Sequence, residues 1–230
     1  MFQISNLSKN YGQEPILQNL NLEIQPGEIV GIVGENGAGK STLFDIISGF
    51  ESSHAGQIYL KNQPIHQLAP FQRANLGLAR TFQLQGLFPN LSVYENLELG
   101  FRLPNTANLL EKLQHFLRLG DQTQTKNMIA KALDRVGMKD KINKTAKDLS
   151  GGQQKLVELA RVMLQDWKIL LLDEPLAGVS KSLKADLATK ILTLKDPHKS
   201  IIIIEHDLEF ISTVADRVLT LRDGQLWEVI

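Results

Sequence analysis

A glycine-rich segment followed by lysine and serine is the strongest chemical signal in the sequence. It matches the phosphate-binding pattern G-x-x-x-x-G-K-[ST] and is followed by a threonine. Glycines allow a tight turn whose successive N–H groups point at a phosphate. Lys40 would then contact the β- and γ-phosphates, and the Ser41 hydroxyl would coordinate Mg²⁺. The alternative is a glycine-rich turn that caps a helix. The predicted phosphate-contacting residues are Gly34, Glu35, Asn36, Gly37, Ala38, Gly39, Lys40, Ser41 and Thr42.

Two adjacent carboxylates, Asp173 and Glu174, directly follow the apolar run 169–172. The carboxyl end of a parallel strand is where α/β sheets place ligand chemistry. Asp173 would help to hold Mg²⁺, while Glu174 would orient or polarise an attacking water. A solvated acidic turn before Pro175 is the alternative, and the glycine-rich loop elsewhere in the chain favours the site.

A second candidate anion-binding loop precedes another helical pattern. Residues 149–153 read Leu-Ser-Gly-Gly-Gln, and the apolar spacing after them predicts a helix. Backbone N–H groups at a helix N-terminus attract anions. Because Lys40 already serves one phosphate site, this loop is expected to act on a different nucleotide. An ordinary serine N-cap followed by flexible glycines is the alternative.

The elements that must position these residues follow from hydrophobic periodicity. Leu20, Leu22 and Ile24 alternate with polar residues, which predicts a half-buried strand. The run 28–33 precedes the glycine-rich loop, and apolar residues at helical spacing fill 41–48. This order predicts strand, loop and helix. A further strand is expected at 56–60.

The remaining pattern predicts an α/β chain interrupted by helices. From about residue 90 to 165 the apolar period is helical, and the residues that show it include Leu110, Leu113, Leu117, Ile129, Leu133 and Val136. Apolar runs then return at 169–172 and 201–204, separated by a helical stretch at 181–194, which favours a parallel sheet with crossover helices. Asp223-Gly224 predicts a hairpin turn.

The composition and net charge of the chain argue against several classes of protein. The 230 residues are 43% hydrophobic and 22% charged, which is typical of a globular chain and excludes disorder. Lys+Arg 25 balance Asp+Glu 25, which argues against nucleic-acid binding as the main task. The aliphatic runs are far shorter than the ~18–20 residues of a membrane span, and no secretory signal is visible. There is no cysteine for a disulfide or a thiolate metal site.

The motifs in this order resemble the nucleotide-binding subunit of an ABC transporter: the glycine-rich loop, Gln83, Leu-Ser-Gly-Gly-Gln, an apolar run ending in Asp-Glu, and a histidine after 201–204. The resemblance implies an α/β fold, a P-loop NTPase core with a parallel sheet, an N-terminal antiparallel β subdomain and an inserted α-helical subdomain. It implies one ATPase domain over 1–230, with a core of 1–89 and 166–230 and a helical signature subdomain at 90–165.

The resemblance also assigns roles to residues. ATP, with Mg²⁺, would be sandwiched in a head-to-tail dimer, so that a partner's copy of the second loop touches the γ-phosphate. Tyr11 would stack on adenine, with packing on the small sheet as its alternative. Gln83 would be a Mg²⁺ ligand that senses the membrane partner, with Gln85 as a competitor. His206 would contact the γ-phosphate and hold the geometry of Glu174. The residues of the second loop in this set are Ser150, Gly151, Gly152 and Gln153.

One position departs from the family pattern. Ser180 stands where the family usually has Asp or Asn, a residue that helps to tie the two sites of the dimer together. The resemblance therefore gives weaker support for communication between the sites than for hydrolysis.

A weaker resemblance, carried by residues 75–83 and 87–97, is to the ATP subunits of branched-chain amino acid and urea uptake systems. It implies membrane-spanning permease subunits, a homodimer or a heterodimer with a second ATP subunit, a separate solute-binding protein and a peripheral position on the cytoplasmic face of the membrane. It also implies an apolar groove for a coupling helix of the permease, with a core role as the alternative for its residues, Leu84, Leu87, Phe88 and Leu91.

Three other functions stay open. An ATPase coupled to export of lipid or another hydrophobic compound would carry the same motifs. A non-transport ABC module acting on nucleic acid or translation would commonly have paired ATPase halves or long inserted coils, whereas this sequence has one P-loop and no basic arm. A small-molecule kinase would use the glycine-rich loop but would leave residues 149–153 and His206 without a role.

Overall fold

The computed structural model describes residues 1–81, 86–99 and 122–229. Its strands and helices follow one another along the chain as β1 (Phe2–Tyr11), β2 (Glu14–Ile24), β3 (Ile29–Val33), α1 (Lys40–Ser48), β4 (Ala55–Leu60), β5 (Gln63–Pro64), α2 (Pro70–Asn75), β6 (Leu78–Arg80), α3 (Val93–Glu98), α4 (Gln122–Arg135), α5 (Gly151–Met163), β7 (Ile169–Asp173), α6 (Lys181–Leu192), β8 (Ser200–Ile204), α7 (Leu208–Val214), β9 (Arg217–Arg222) and β10 (Gln225–Glu228).

The chain divides into two compact units. The first comprises Met1–Gln83, Trp167–Leu176 and Lys184–Ile230, and the second comprises Leu84–Asp166 and Ala177–Leu183. All ten named strands belong to the first unit, whereas α3, α4 and α5 belong to the second. Because the chain leaves the first unit and returns to it, the helical unit is an insertion in the sequence of the sheet-containing one.

An antiparallel sheet in the order β2-β1-β4-β5 forms one layer of the first unit. The alternation predicted for β2 is confirmed, since Leu20, Leu22 and Ile24 are buried while the residues between them are exposed. Strands of period two present alternate residues to one face, so this face packs into the core while the other meets solvent.

The second sheet has the order β10-β9-β3-β8-β7-β6. Strands β6, β7, β8, β3 and β9 pair in parallel, and β10 pairs antiparallel with β9 through the predicted Asp223-Gly224 hairpin. Every residue of β7 and of β8 is buried, which explains their continuous apolar runs. Because β3, β8 and β7 are neighbours, the segments that follow them start from adjacent points on one sheet edge.

The core of the first unit lies among the two sheets and α1. Large side chains from all three are fully or almost fully buried, among them Phe2, Ile4, Ile32, Phe44 and Ile204. Burial of one such side chain is worth about 1.5–3 kcal/mol. The core therefore fixes α1, and with it the end of the glycine-rich loop, against the sheet.

The second unit confirms the predicted helical periodicity where it is described. Ile129 and Leu133 on α4 are buried, as are Leu156 and Leu159 on α5. The predicted helical positions Leu110, Leu113 and Leu117 lie outside the described residues. In the described part of the chain, none of the helices combines the length and the apolar character that crossing a bilayer requires.

Candidate active site

The glycine-rich loop connects the end of β3 to the start of α1. Gly37 and Gly39 have φ angles of 82° and 99°, in the left-handed region where a side chain is strained. Gly39 is also the N-cap of α1, and as glycine it offers no side-chain oxygen to the first-turn N–H groups. These groups are thus left for an external acceptor, which is the arrangement of a phosphate site.

Lys40 lies across this loop. Its Nζ donates hydrogen bonds to the carbonyl oxygens of Gly34 and Glu35, at 2.7 and 2.8 Å. Burial lowers the pKa of the Lys40 ammonium from its ordinary value, and the Glu174 carboxylate opposes that change. The positive charge is consequently held by the loop's own backbone, beside the N–H groups of α1.

The other predicted loop residues are more accessible. Residues 34–38 line one side of an open cleft of about 700 Å³, whose other side is formed by residues 220–223. Ser41 is exposed on the first turn of α1, and Thr42 is half-buried beside it. The Ser41 hydroxyl is therefore at the helix end where the predicted cation would sit.

Asp173 ends β7 and is 4% exposed. Its Oδ2 accepts a hydrogen bond from Nη2 of Arg80 at 2.8 Å. Among the described residues, Asp173 Oδ1 is buried and has no hydrogen-bond partner, which fits a carboxylate oxygen reserved for a cation. Burial raises the pKa of Asp173, while the Arg80 guanidinium acts to lower it.

Arg80 was not singled out by the sequence motifs, although it is central to this geometry. Its Nη1 donates to Asp45 Oδ1 at 2.6 Å and to Ser48 Oγ at 2.9 Å, both on α1. Its guanidinium also lies 5.6 Å from the ring centroid of Phe44. The arginine thus joins the helix that follows the glycine-rich loop to the carboxylate at the end of β7.

Glu174 and His206 meet at the same sheet edge. The register pairs Asp173 on β7 with Ile204 on β8, so the residues that follow these strands are brought side by side. His206 Nε2 lies 3.0 Å from Glu174 Oε1. Glu174 has a φ of 45°, a left-handed conformation that is unfavourable for a residue with a side chain. The predicted pairing of the two side chains is therefore present in the geometry.

Tyr11 lies at the end of β1 and is 50% exposed. The Nζ of Lys9 is 5.2 Å from its ring centroid, within the range of a cation–π contact. Lys9 itself is buried and donates to Glu51 Oε1 and to the Ser52 carbonyl oxygen. The exposure of the tyrosine leaves ring surface available for stacking, as the adenine prediction requires.

The second glycine-containing loop leads into α5. Ser150 is the N-cap, with its Oγ accepting from the Gln153 N–H at 3.3 Å, and Gln153 Oε1 accepts from the Ser150 N–H at 3.1 Å. A Cβ on Gly151 would lie 2.9 Å from the Gly178 carbonyl oxygen, and one on Gly152 would lie 2.7 Å from Leu183 Cδ1. Within one chain, these residues form a capping box packed on the segment 177–183.

Gln83, together with Leu84 and Gln85, lies outside the described residues. Ser180 directly precedes α6, and its Oγ hydrogen-bonds with Ser182 Oγ at 3.0 Å. Phe88 is 56% exposed, which argues against the core alternative for that side chain. Its predicted groove neighbours Leu87 and Leu91 are half-buried.

Comparison with protein families gives one assignment. The family described as "ABC transporter" matches residues 17–177. A similar protein is the high-affinity branched-chain amino acid transport ATP-binding protein LivG of Escherichia coli strain K12, 34% identical over 97% of this chain and 89% of the relative. The ribose import ATP-binding protein RbsA of Caldanaerobacter subterraneus is 34% identical over 98% of this chain and 44% of the relative.

Solved structures give the same result for the fold. A nucleotide-free ATP-binding cassette from an ABC transporter superposes with a TM-score of 0.84 at 30% identity, covering 99% of this chain and 90% of the other. The dimeric structure of a bacterial ABC transporter cassette gives a TM-score of 0.82 at 25% identity, covering 98% and 96%. The predicted P-loop α/β fold is confirmed.

Proposed function

The chain belongs to the ABC transporter family and is an ATPase, and from this premise we propose that it energises an importer of branched-chain amino acids or a related small solute. The similarity to LivG across 97% of the chain supports this choice of solute class. Relatives named for polyamine and for ribose import match at comparable identity. The import direction therefore has broader support among the relatives than any single solute.

The main support for ATP hydrolysis at this site is that charged groups lie at the carboxyl ends of three neighbouring parallel strands. Lys40 follows β3 through the glycine-rich loop, Asp173 ends β7, and His206 comes after β8. The open N–H groups of α1 and the Lys40 ammonium bind the phosphates, since both present positive charge to them. Tyr11 stacks on the adenine ring.

Water activation falls to Glu174 in this proposal. Its carboxylate accepts a proton from, or orients, the water that attacks the γ-phosphate. The contact between His206 Nε2 and Glu174 Oε1 fixes the direction of the carboxylate. In the proposed role, His206 also contacts the γ-phosphate, so that binding of the phosphate is linked to the position of the Glu174 carboxylate.

Mg²⁺ fits the residues at the end of β7. The orphaned Oδ1 of Asp173 and the exposed hydroxyl of Ser41 are oxygen ligands of the kind that Mg²⁺ prefers, and Gln83 completes the proposed set. When bound, the cation neutralises charge that develops on the phosphate oxygens.

The proposed assembly is a dimer of ATP subunits on the cytoplasmic face of a membrane, docked on permease subunits. A similar cassette is dimeric in its solved structure. In the dimer, Ser150, Gly151, Gly152 and Gln153 complete the ATP site of the partner. A separate solute-binding protein delivers the solute. The exposed Phe88 is available as part of the permease contact.

The test begins with Glu174→Gln, which removes the proton acceptor but keeps size and hydrogen bonding. We expect ATP binding to persist and hydrolysis to fall by about 10²–10⁴-fold, the usual contribution of a general base. Phosphate release and equilibrium ATP binding are measured on the purified chain. Glu28→Gln serves as the matched control, since it makes the same carboxylate-to-amide change directly before β3, at the end of the strand away from the glycine-rich loop. Normal hydrolysis by Glu174→Gln would contradict the assignment.

The importer proposal is tested with the same variant as bait. Glu174→Gln is recovered from detergent-solubilised native membranes with ATP and Mg²⁺, and the partners are identified by mass spectrometry. The recovered permease is then placed in proteoliposomes with the wild-type chain and its solute-binding protein, and uptake of labelled leucine is measured. ATP-dependent uptake supports the proposal. Recovery of lipid-export components would instead indicate an exporter. Recovery of soluble or ribosomal partners alone would indicate a non-transport module, and transfer of phosphate to an added metabolite would indicate a kinase.

A further inference from the structure

Glu205 is a buried carboxylate that the proposed reaction does not use directly. It stands between the last residue of β8 and His206, and only 4% of its surface is exposed. A buried ionised carboxylate is costly unless its oxygens accept several hydrogen bonds. Burial raises the pKa of Glu205, and the N–H groups of Leu176 and His206 act to lower it.

The two oxygens of Glu205 have separate partners. Oε1 accepts from the Leu176 N–H at 2.6 Å, and Oε2 accepts from the His206 N–H at 3.0 Å. Leu176 is two residues after Glu174, and His206 is the other member of the catalytic pair. One carboxylate thus bridges the backbone segments that carry the two side chains. These backbone N–H groups lie beyond the ends of β7 and β8, where the ladder between the strands no longer joins them.

The bridged turn is also the strained one. Glu174 has its left-handed φ of 45°, a conformation that is unfavourable for a residue with a side chain. Its N–H donates to the Ile204 carbonyl oxygen at 3.0 Å, on the near side of the turn. The Glu205 bond to Leu176 holds the far side. Such a conformation persists only where the surrounding contacts determine it.

We propose that Glu205 is a positioning residue for ATP hydrolysis, which holds the Glu174–Leu176 turn against His206 so that the 3.0 Å contact between the two side chains is maintained. This inference rests on the proposed roles of Glu174 and His206. Glu205 touches neither reacting atom and acts through the backbone of its two neighbours. Its removal should therefore change the rate of the chemical step more than the binding of ATP.

The test variant is Glu205→Gln. The amide has nearly the same shape, but only its oxygen accepts, so its NH₂ group must face one of the two backbone N–H donors. We expect kcat to fall about 10- to 100-fold, the usual effect of losing a residue that orients a ligand or catalytic group. The equilibrium affinity for ATP should change less than about threefold, because the glycine-rich loop and Lys40 are unaffected.

Glu28→Gln is the matched control. The Glu28 carboxylate also accepts from a backbone N–H, that of Gln25 at 2.8 Å, and pairs with Arg217 at 2.8 Å. It lies before β3, at the opposite edge of the same sheet. Its kcat should equal that of the wild type. Rates are expressed per ATP-binding site, so that unfolded protein in the sample does not lower the measured kcat. Glu205→Asp provides a second variant that keeps both acceptor oxygens.

A double-mutant cycle separates positioning from general stability. In a His206→Ala background, single-turnover rates should drop less than about twofold further on adding Glu205→Gln, because the contact that Glu205 maintains is already gone. A full second loss, or a normal rate for Glu205→Gln alone, overturns the inference. If Glu174→Gln and His206→Ala themselves hydrolyse ATP normally, the proposed site is wrong; if they fail while Glu205→Gln is normal, only the role of Glu205 is wrong.

Discussion

Gly37 in the first glycine-rich loop and Gly151 in the second are needed for different physical reasons. In residues 34–39, Gly37 and Gly39 have positive φ angles, and a Cβ on Gly37 would meet nothing within 4 Å. In residues 149–153, Gly151 has an ordinary φ, but its Cβ would lie 2.9 Å from the Gly178 carbonyl oxygen. Gly37 is therefore needed for its backbone conformation alone, whereas Gly151 is needed for close approach. Gly39 combines both reasons, since a Cβ there would lie 2.9 Å from Ile16 Cγ2.

The helices that follow these loops also differ in how their N-termini are capped. Gly39 leaves the first-turn N–H groups of α1 without a side-chain acceptor, while Ser150 and Gln153 cap one another at the start of α5. The first loop also has Lys40, and residues 149–153 contain no lysine. In the proposed function, the first loop therefore binds a phosphate by itself, and the second adds contacts to a phosphate that another group already holds.

The largest expected effect is that of Lys40→Ala. Truncating a buried, charged partner of an anion costs about 2–5 kcal/mol, so the Kd for ATP should rise at least about 30-fold. Isothermal titration or fluorescence of a labelled nucleotide measures it. The exposed Lys61→Ala is the control and should bind ATP normally. If Lys40→Ala and Lys61→Ala bound ATP equally well, Lys40 would not distinguish the first loop from the second as a phosphate site.

Replacement of glycine by Ala and by Asn should cost stability in opposite orders at Gly37 and at Gly151. At Gly151, Ala should cost about 1–3 kcal/mol of stability through overpacking against Gly178, and the larger Asn should cost more. At Gly37, Ala should cost about 1–2 kcal/mol, and Asn should cost less, since it tolerates left-handed backbone better. Calorimetric unfolding of the four variants gives the order. The same rank at both positions would show that one reason for glycine applies to both.

The smallest expected effect belongs to the cap of α5. Ser150→Ala removes the acceptor for the Gln153 N–H and should lower the unfolding free energy by about 1 kcal/mol, while Ser150→Thr keeps the cap and should cost little. Denaturant titration measures both. In the assembled dimer, Ser150→Ala should also weaken ATP-driven association, which size exclusion with ATP follows. Loss of association without loss of stability would mean that the serine serves the partner rather than its own helix.

Local patterns predicted most of the described fold. The alternation in β2, the strand–loop–helix order around the glycine-rich loop and the Asp223-Gly224 hairpin each depend on residues close in sequence, and each is confirmed. The helical period of α4 and α5 is likewise visible because apolar residues recur on one face. The assignments of Gln83 and of the adenine and partner contacts stay predictions.

The residues that the sequence did not reveal work across long separations. Arg80 reaches Asp45 and Asp173, which lie 35 and 93 positions away, and Glu205 reaches Leu176, 29 positions away. No periodicity marks such pairs, because the partners are far apart in the sequence and Glu205 bonds to the backbone of Leu176 rather than to its side chain. The signal that could have found them is a charged residue at the end of a strand, since Arg80 ends β6 and Glu205 directly follows β8.

The strand order also decides when the site can form as the protein is made. In the described part of the chain, β3, which leads into the glycine-rich loop, pairs with β8 and β9, and these strands begin only at Ser200 and Arg217. Until then the nascent chain carries an unpaired apolar strand, a condition that favours aggregation and calls for chaperone protection. Such non-local pairing is slow to form. Translation that terminates before residue 200 would thus release a chain that has the glycine-rich loop sequence but lacks the strands that pair with β3.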